Sequence, residues 1–505
     1  MDTNQLKPLI ERLCNKLWAA GLTNPVTYVE QISYLFFLKM LEEWDDQRAR
    51  EATLVGRANG YASIFAGDSN KHRWSVWTHI PDNERMFRFV RDKVFPFMAS
   101  LSEREEVRRF FRDARFQIPD GVTLRDVVDL LRDVRFYELD ADVKGDLYEY
   151  LLNQMATSGR GGQFRTPRHI IRTMVQMVDP RIGETILDPA CGTGGFLLGA
   201  YDWVRLENSD AAHIGEVANG AGQPVRRGPG DRLSPTQWDF LQSGALFGFD
   251  VDQGIVRIGT MNLILHGLER SQVMRRDALA GSPDDWEDRQ FDVILSNPPF
   301  SGRINRDRIR GSLPVRSAKT EILFLGLMVK ALRDGGRCGV IVPEGLLFGS
   351  TGAHKEVRQM LLEQCDLQAV VSLPGGVFQP YSGVKTSVLV FGRPGPTESV
   401  WFYDVTADGF SLDQRRQPIA ERNDIPHLLA KWPDRIVSER SWAATSGQIT
   451  ENDFNLSAGR YRPVSAMAKS QTDPRELLSK LGAVEQDILS HVRRLDELLG
   501  KGGSS

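Results

Sequence analysis

"TILDPACGTGGF", residues 185 to 196, decides the fold. The apolar pair Ile186-Leu187 ends in Asp188-Pro189. Gly192, Gly194 and Gly195 then cluster ahead of Phe196-Leu197-Leu198. The pattern predicts a strand, a tight turn and a helix. Glycines at such a turn let the backbone approach a ligand closely, and the helix N-terminus offers free N–H groups. At the carboxyl edge of an open parallel sheet, this is where ligands bind. The spacing is not the dinucleotide fingerprint, because Gly192-Thr193-Gly194-Gly195-Phe196-Leu197 lacks the final glycine. No GK[ST] follows, which excludes a Walker loop.

Outward from this turn, short apolar runs recur between about 184 and 405: "ALFGFD", "FDVILSNPP", "CGVIVPEG", "LQAVVSLPGG", "TSVLVFGR" and "VWFYDV". Most are separated by enough chain for a helix. "EILFLGLMVKALRDGGR" is one such helix, with Gly335-Gly336 placed as its C-cap. Alternation of this kind predicts an α/β fold, Rossmann-like, with a mostly parallel sheet covered on both faces. The last strands crowd together around Gly392-Arg393-Pro394-Gly395, so an antiparallel edge is expected there. Residues 208 to 238 read as a polar surface insertion.

The flanks differ in texture. Residues 1–150 read as a helical domain, with Val29, Ile32, Phe36 and Met40 at helical spacing and Tyr28 and Leu35 widening the stripe. Residues 151–405 carry the strands. Residues 406–505 end in an amphipathic helix, with Asp473-Pro474 as its start and Leu477, Leu481, Val484, Ile488, Leu495 and Leu499 near one side.

Bulk composition narrows the function. In 505 residues, 41% are hydrophobic and 26% charged, and the net charge is -3. A dedicated nucleic-acid coat would be strongly basic, although a local basic face remains open. Cys14, Cys191, Cys338 and Cys365 lie far apart with no ligand spacing, which speaks against a zinc site and fits a reducing cytoplasm. The most apolar stretch near the start, "ISYLFFLKML", is too short to cross a bilayer.

A second chemical signal is "LSNPPFSG", residues 295 to 302. Two prolines end any strand, since neither offers an N–H to a ladder. Here a core strand stops in an amide, a rigid elbow and an aromatic ring. Two further strands end in acids: Asp250 after "ALFGFD", placed to grip a ribose diol, and Asp277 in "VMRRDAL". Each alone is an ordinary turn residue. Three acidic strand ends in order, together with the Gly turn, are harder to dismiss.

"DPACGTGGF" followed by "NPPF" resembles the amino-group DNA methyltransferases that use S-adenosylmethionine. "GDLYEYLLNQMATSGRGGQFRTPRHII" before the Gly turn and "TMNLILHG" after Asp250 agree. The chain as a whole is similar to the modification subunits of type I restriction–modification systems, with "LPGGVFQPYSGVKTSVLVF" and "NDFNLSAGRYRP" adding to the match. Thr166 would also serve as an N-cap and Pro167 as a first helical residue in any case.

The resemblance implies the S-adenosylmethionine-dependent methyltransferase fold and N6-adenine methylation of double-stranded DNA. Asn297 and the carbonyl of Pro298 would accept hydrogen bonds from the adenine amino group, Pro299 would stiffen the elbow, and Phe300 would stack on the extruded base. Gly162, Gln163, Phe164, Arg165, Thr166 and Pro167 would line the methionine end of the cofactor. Asp188, Gly192, Thr193 and Gly194 would surround its amino acid and ribose, Asp250 would take the ribose diol and Asp277 the adenine. The family often has Glu where Asp250 stands. Asn at the head of the motif favours adenine over N4-cytosine. No cysteine directly follows a proline, so a cytosine-C5 mechanism fails. No metal is required.

After this motif, Arg303, Arg306, Arg308 and Arg310 form a basic run that fits DNA phosphates, with Arg226 and Arg227 a weaker instance. A charge run is more often a solvated face. There is no room for a separate base-reading module. The resemblance therefore implies a specificity subunit as partner, with two modification subunits per specificity subunit, and allows a restriction nuclease subunit. The alternatives are a self-sufficient adenine methylase or one from another phage-defence system, a binding module that has lost catalysis, and a Rossmann-type oxidoreductase. The intact NPPF disfavours the last two.

Overall fold

The computed structural model describes residues 3–463 other than 55–61, 102–106, 108, 109, 112, 140, 158–165, 219–223, 281–288, 301, 303, 305–308 and 310. Beyond 463 it describes 478, 479, 481, 482, 485, 486 and 488–491. The strands in chain order are β1 (Ile186–Asp188), β2 (Gly215–Ala218), β3 (Pro224–Arg227), β4 (Leu246–Asp250), β5 (Gln272–Arg275), β6 (Phe291–Ser296), β7 (Leu332–Pro343), β8 (Asp366–Ser372), β9 (Thr386–Gly392), β10 (Ser399–Asp404), β11 (Asp408–Phe410), β12 (Pro418–Asn423) and β13 (Ser441–Thr445). Among the described residues, nine of them form one sheet in the order β13-β10-β8-β9-β7-β6-β1-β4-β5.

The sheet is parallel from β5 through β7. β9 then runs antiparallel between β7 and β8, with Leu389 opposite Val340 on one side and Val370 on the other. Its seven residues are all buried, which is why it reads as a continuous apolar run. The antiparallel edge expected around residues 392–395 is not formed there, because β9 and β10 are separated by β8; the sheet's antiparallel edge is instead β13, which lies against β10. The sheet thus continues past residue 405.

Alternation along the strands sorts the core into two layers. Leu187, Phe247, Phe249, Ile294, Val340 and Val342 face the helices Thr320–Ala331 and Gly352–Gln364. Ile186, Leu246, Val293, Leu295 and Ile341 face Arg168–Val178 and Gly195–Glu207. The helix Gln253–Leu265 serves two cores: Val256 and Leu263 pack toward the sheet, whereas Ile255, Ile258, Met261 and Ile264 pack into the N-terminal helices.

That N-terminal body is built around the helix Pro25–Leu54. Sequence periodicity gives it one apolar stripe, but residues 28 to 41 are buried all round. Its polar side chains are satisfied inside. Glu30 accepts from Arg257 at 2.6 Å, and Gln31 donates to the carbonyl of Arg115 at 3.1 Å and accepts from the N–H of Gln117 at 2.9 Å.

Two local expectations change. The helix Thr320–Ala331 closes without a glycine: Leu332 N–H donates to the Met328 carbonyl. Gly335 (φ 82°) and Gly336 lie beyond it in β7, where they exchange backbone hydrogen bonds with Arg393. The insertion is not a bare loop. It folds into the β2–β3 hairpin, and Arg227 on it pairs with Asp146 at 2.8 Å, tying the hairpin to the helix Ala141–Thr157. Arg227 is therefore a structural cation, not a free phosphate contact.

Candidate active site

β1, β4 and β6 are neighbours, and all three end on one edge of the sheet. After β1 the chain turns through Gly192 (φ 52°) and Gly194 (φ 80°), conformations that a side chain would strain, into the helix Gly195–Glu207. Asn262, fully buried on the helix Gln253–Leu265, donates to the Thr193 carbonyl at 2.8 Å and to Glu149 at 3.1 Å. Glu149 also pairs with Arg168. The Gly turn, the N-terminal body and the helix Arg168–Val178 are thereby stitched together.

Two acids sit at this turn. Asp188 is closed off from solvent, and burial pushes its carboxyl up to about 7 despite hydrogen bonds from Ser296 Oγ (2.7 Å) and Ala190 N–H (3.1 Å). Asp250 is raised by burial as well, while its oxygens accept from Gly192 N–H (3.2 Å) and Asp252 N–H (2.9 Å). Asp188 has no ion-pair partner among the described residues. One acid closed off from solvent and one half-buried, with no cation between them among the described residues, suit a ligand that brings one. Asp277 is exposed and caps its own turn through Leu279 N–H at 3.1 Å.

At the end of β6, Asn297 Nδ2 donates to Thr166 Oγ1 at 3.0 Å. Its Oδ1 is buried and has no hydrogen-bond partner among the described residues. The Thr320 hydroxyl donates to the Pro299 carbonyl at 3.0 Å, pinning the elbow from below. Phe300 is half-buried against the Ile171 side of the core. The expected N-cap therefore shifts: Pro167 stands at the cap of Arg168–Val178, and Thr166 turns its hydroxyl to Asn297 instead.

The structure thus gathers Thr166, Asp188, Gly192, Thr193, Gly194, Asp250 and Asn297 through direct hydrogen bonds or adjacent turns. Gly162, Gln163, Phe164 and Arg165, and likewise Arg303, Arg306, Arg308 and Arg310, lie outside the described residues. Sequence reasoning missed Ser296, Thr320, Asn262 and Glu149. Only Asn262 left a signal, a lone amide in the apolar run of "TMNLILHG".

Residues 139–470 match the family N-6 DNA Methylase, and residues 6–131 match the HsdM N-terminal domain. The chain belongs to the N-6 DNA methylase family. It is 30% identical to the type I restriction enzyme EcoEI methylase subunit of Escherichia coli, over 95% of this chain and 94% of that one. Against the EcoKI methylase subunit of Escherichia coli strain K12 the identity is 26%, over 93% and 85%. A solved chain from a type I restriction–modification assembly superposes with a TM-score of 0.67 at 30% identity, over 97% and 98%. The type I methyltransferase subunit from Streptococcus thermophilus has a TM-score of 0.68 at 20% identity, over 92% and 100%, and shares the fold. This N-6 DNA methylase is an adenine-specific DNA methyltransferase, the modification subunit of a type I restriction–modification system. Among its described residues no helix is long and apolar enough to cross a membrane.

Proposed function

We propose that this subunit methylates N6 of an adenine swung out of double-stranded DNA, with Asn297 as the residue that grips the amine. The observation that carries the reading is the buried, unpartnered Oδ1 of Asn297. A buried acceptor without a donor costs free energy, so it marks a place where a donor arrives. An exocyclic amine offers two N–H donors. Oδ1 takes one and the Pro298 carbonyl the other, which favours lone-pair character on the nitrogen. The prolines fix both acceptors in advance, so orientation is set before reaction. Neither acceptor is basic enough to keep a proton, so the one displaced by the methyl group leaves to solvent. Phe300 offers its ring face to the base.

S-adenosylmethionine supplies a methyl group already activated on a sulfonium. The residues at the Gly turn fit its other parts. Asp188 meets the ammonium with a buried carboxylate, the turn at Gly192 and Gly194 lets the cofactor lie against the backbone, and Asp250 accepts the ribose hydroxyls. Asp277, exposed two residues beyond β5, would take the adenine amine.

Target choice belongs to a specificity subunit, with two modification subunits per specificity subunit and a nuclease subunit joining them. The described parts of the C-terminal helix support a docking role: Leu478, Leu481, Ile488 and Leu489 are all exposed. Arg303, Arg306, Arg308 and Arg310 follow the base pocket in sequence and contact phosphates.

Asn297→Ala, assayed in complex with the specificity subunit, abolishes methyl transfer while S-adenosylmethionine affinity by calorimetry stays near wild type. Wild-type turnover in that variant overturns the reading.

A further inference from the structure

An amide has two ends, and which one faces the base decides whether it accepts or donates. The Nδ2 end of Asn297 is taken by Thr166 Oγ1 at 3.0 Å, and the Oδ1 end is left bare and buried. In the reverse orientation the hydroxyl would hold Oδ1 and both N–H groups would face away, so the base would meet donors in place of an acceptor. Thr166 comes from 131 residues earlier in the chain. It cannot drift, because the helix start beside it is fastened twice: Arg168 pairs with Glu149, and His169 Nε2 hydrogen-bonds Asp408 Oδ2 at 2.9 Å. Thr320 meanwhile holds the main chain of the same motif through the Pro299 carbonyl. Side chain and backbone of the elbow are thus set by two separate hydroxyls.

We propose that Thr166 is a positioning residue for methyl transfer: its hydroxyl holds the Nδ2 side of Asn297 and so presents Oδ1 to the exocyclic amine. The inference rests on the assignment of Asn297 above and extends it to a residue that otherwise belongs with the cofactor.

The test uses the complex with its specificity subunit and compares Thr166→Val, Thr166→Ser and Asn297→Ala. Val keeps the shape and removes the hydroxyl; Ser restores it. With saturating S-adenosylmethionine and DNA, Thr166→Val lowers the single-turnover methylation rate by roughly ten- to a hundredfold. Any change in its affinity for S-adenosylmethionine is overcome at saturation, and its DNA affinity stays within about twofold of wild type. Thr166→Ser recovers most of the rate, and thermal unfolding of all three matches wild type. A wild-type rate in Thr166→Val beside an inactive Asn297→Ala defeats the positioning role and leaves the Asn297 assignment standing. A loss confined to cofactor affinity, with the saturated rate intact, also defeats it. Full activity in Asn297→Ala removes the underlying assignment instead.

Discussion

Ser296 donates its hydroxyl to Oδ1 of Asp188 across 2.7 Å, and both side chains are shut off from solvent. The bond crosses from β6 to its parallel neighbour β1. Ser296 directly precedes Asn297, and Asp188 opens the Gly turn. One hydrogen bond therefore ties the strand end proposed to hold the methyl donor to the strand end proposed to hold its acceptor. A shift of either end is felt by the other, because both sit on a rigid sheet.

The protonation of Asp188 makes cofactor affinity depend on pH. Burial raises its carboxyl from 3.8 to about 7 in the chain without cofactor. A cationic ammonium favours the ionised form, so below about 7 binding must first displace a proton. Affinity for S-adenosylmethionine then falls by about tenfold per pH unit on the acid side and levels off above it. Calorimetry in buffers of different ionisation heat reads the released proton. The stability linkage has the opposite sign to the usual carboxylate. The folded state holds the proton more tightly than the unfolded chain, so this group's contribution falls as pH rises from 3.8 toward 7. Stabilisation by the cofactor grows over the same window. A pH-independent affinity would remove Asp188 from the ammonium site, and Asp188→Asn is the matched control.

The union of the N-terminal helices with the catalytic body depends on a buried ion pair. Arg257 Nη1 meets Glu30 Oε1 at 2.6 Å, and the Tyr34 hydroxyl donates to the same oxygen at 2.9 Å. Both charged side chains are nearly inaccessible. Glu30→Ala takes this carboxylate away from a buried guanidinium and destabilises the protein by about 3 kcal/mol. Replacing both partners with Leu and Met costs far less, since no charge is then left unpaired at this junction. Urea unfolding of the single and double variants separates these outcomes; equal losses would mean that packing, not charge, governs the junction.

What the sequence disclosed and what it hid divide along chain separation. Strands β1, β4, β6 and β9 and the turn at Gly192 are local patterns, legible from apolar runs and glycine chemistry. The elbow of Asn297 and Pro298 stood out as a core strand ended by an amide and two prolines, and its proposed role came from the family resemblance. The bonds that fasten it were not. Thr166 reaches Asn297 across 131 residues and Ser296 reaches Asp188 across 108, and nothing in either neighbourhood signals its partner. Thr166 was misplaced as an N-cap for the same reason: a Thr-Pro pair fits that local role, and only the tertiary fold brings an amide to its hydroxyl. Arg227 read as a free cation because Asp146 lies 81 residues away. The interior place of β9 was also hidden, since strand order in a sheet is not written in any one strand.

The basic run after Phe300 tests how DNA is held. Arg306, Arg308 and Arg310 follow Phe300 by six to ten residues. Cations that neutralise phosphates release counterions, so each contributes about 0.9 to the log–log slope of affinity against salt. Reversing all three to Glu in the assembled complex weakens DNA binding at low salt and reduces the slope by roughly 3. Because phosphate contacts carry no sequence information, the loss is the same for target and non-target duplexes. The chemical step, measured at saturating DNA, stays near wild type. An unchanged salt slope would make the run a solvated face, and a loss confined to the target sequence would make it a reader of bases.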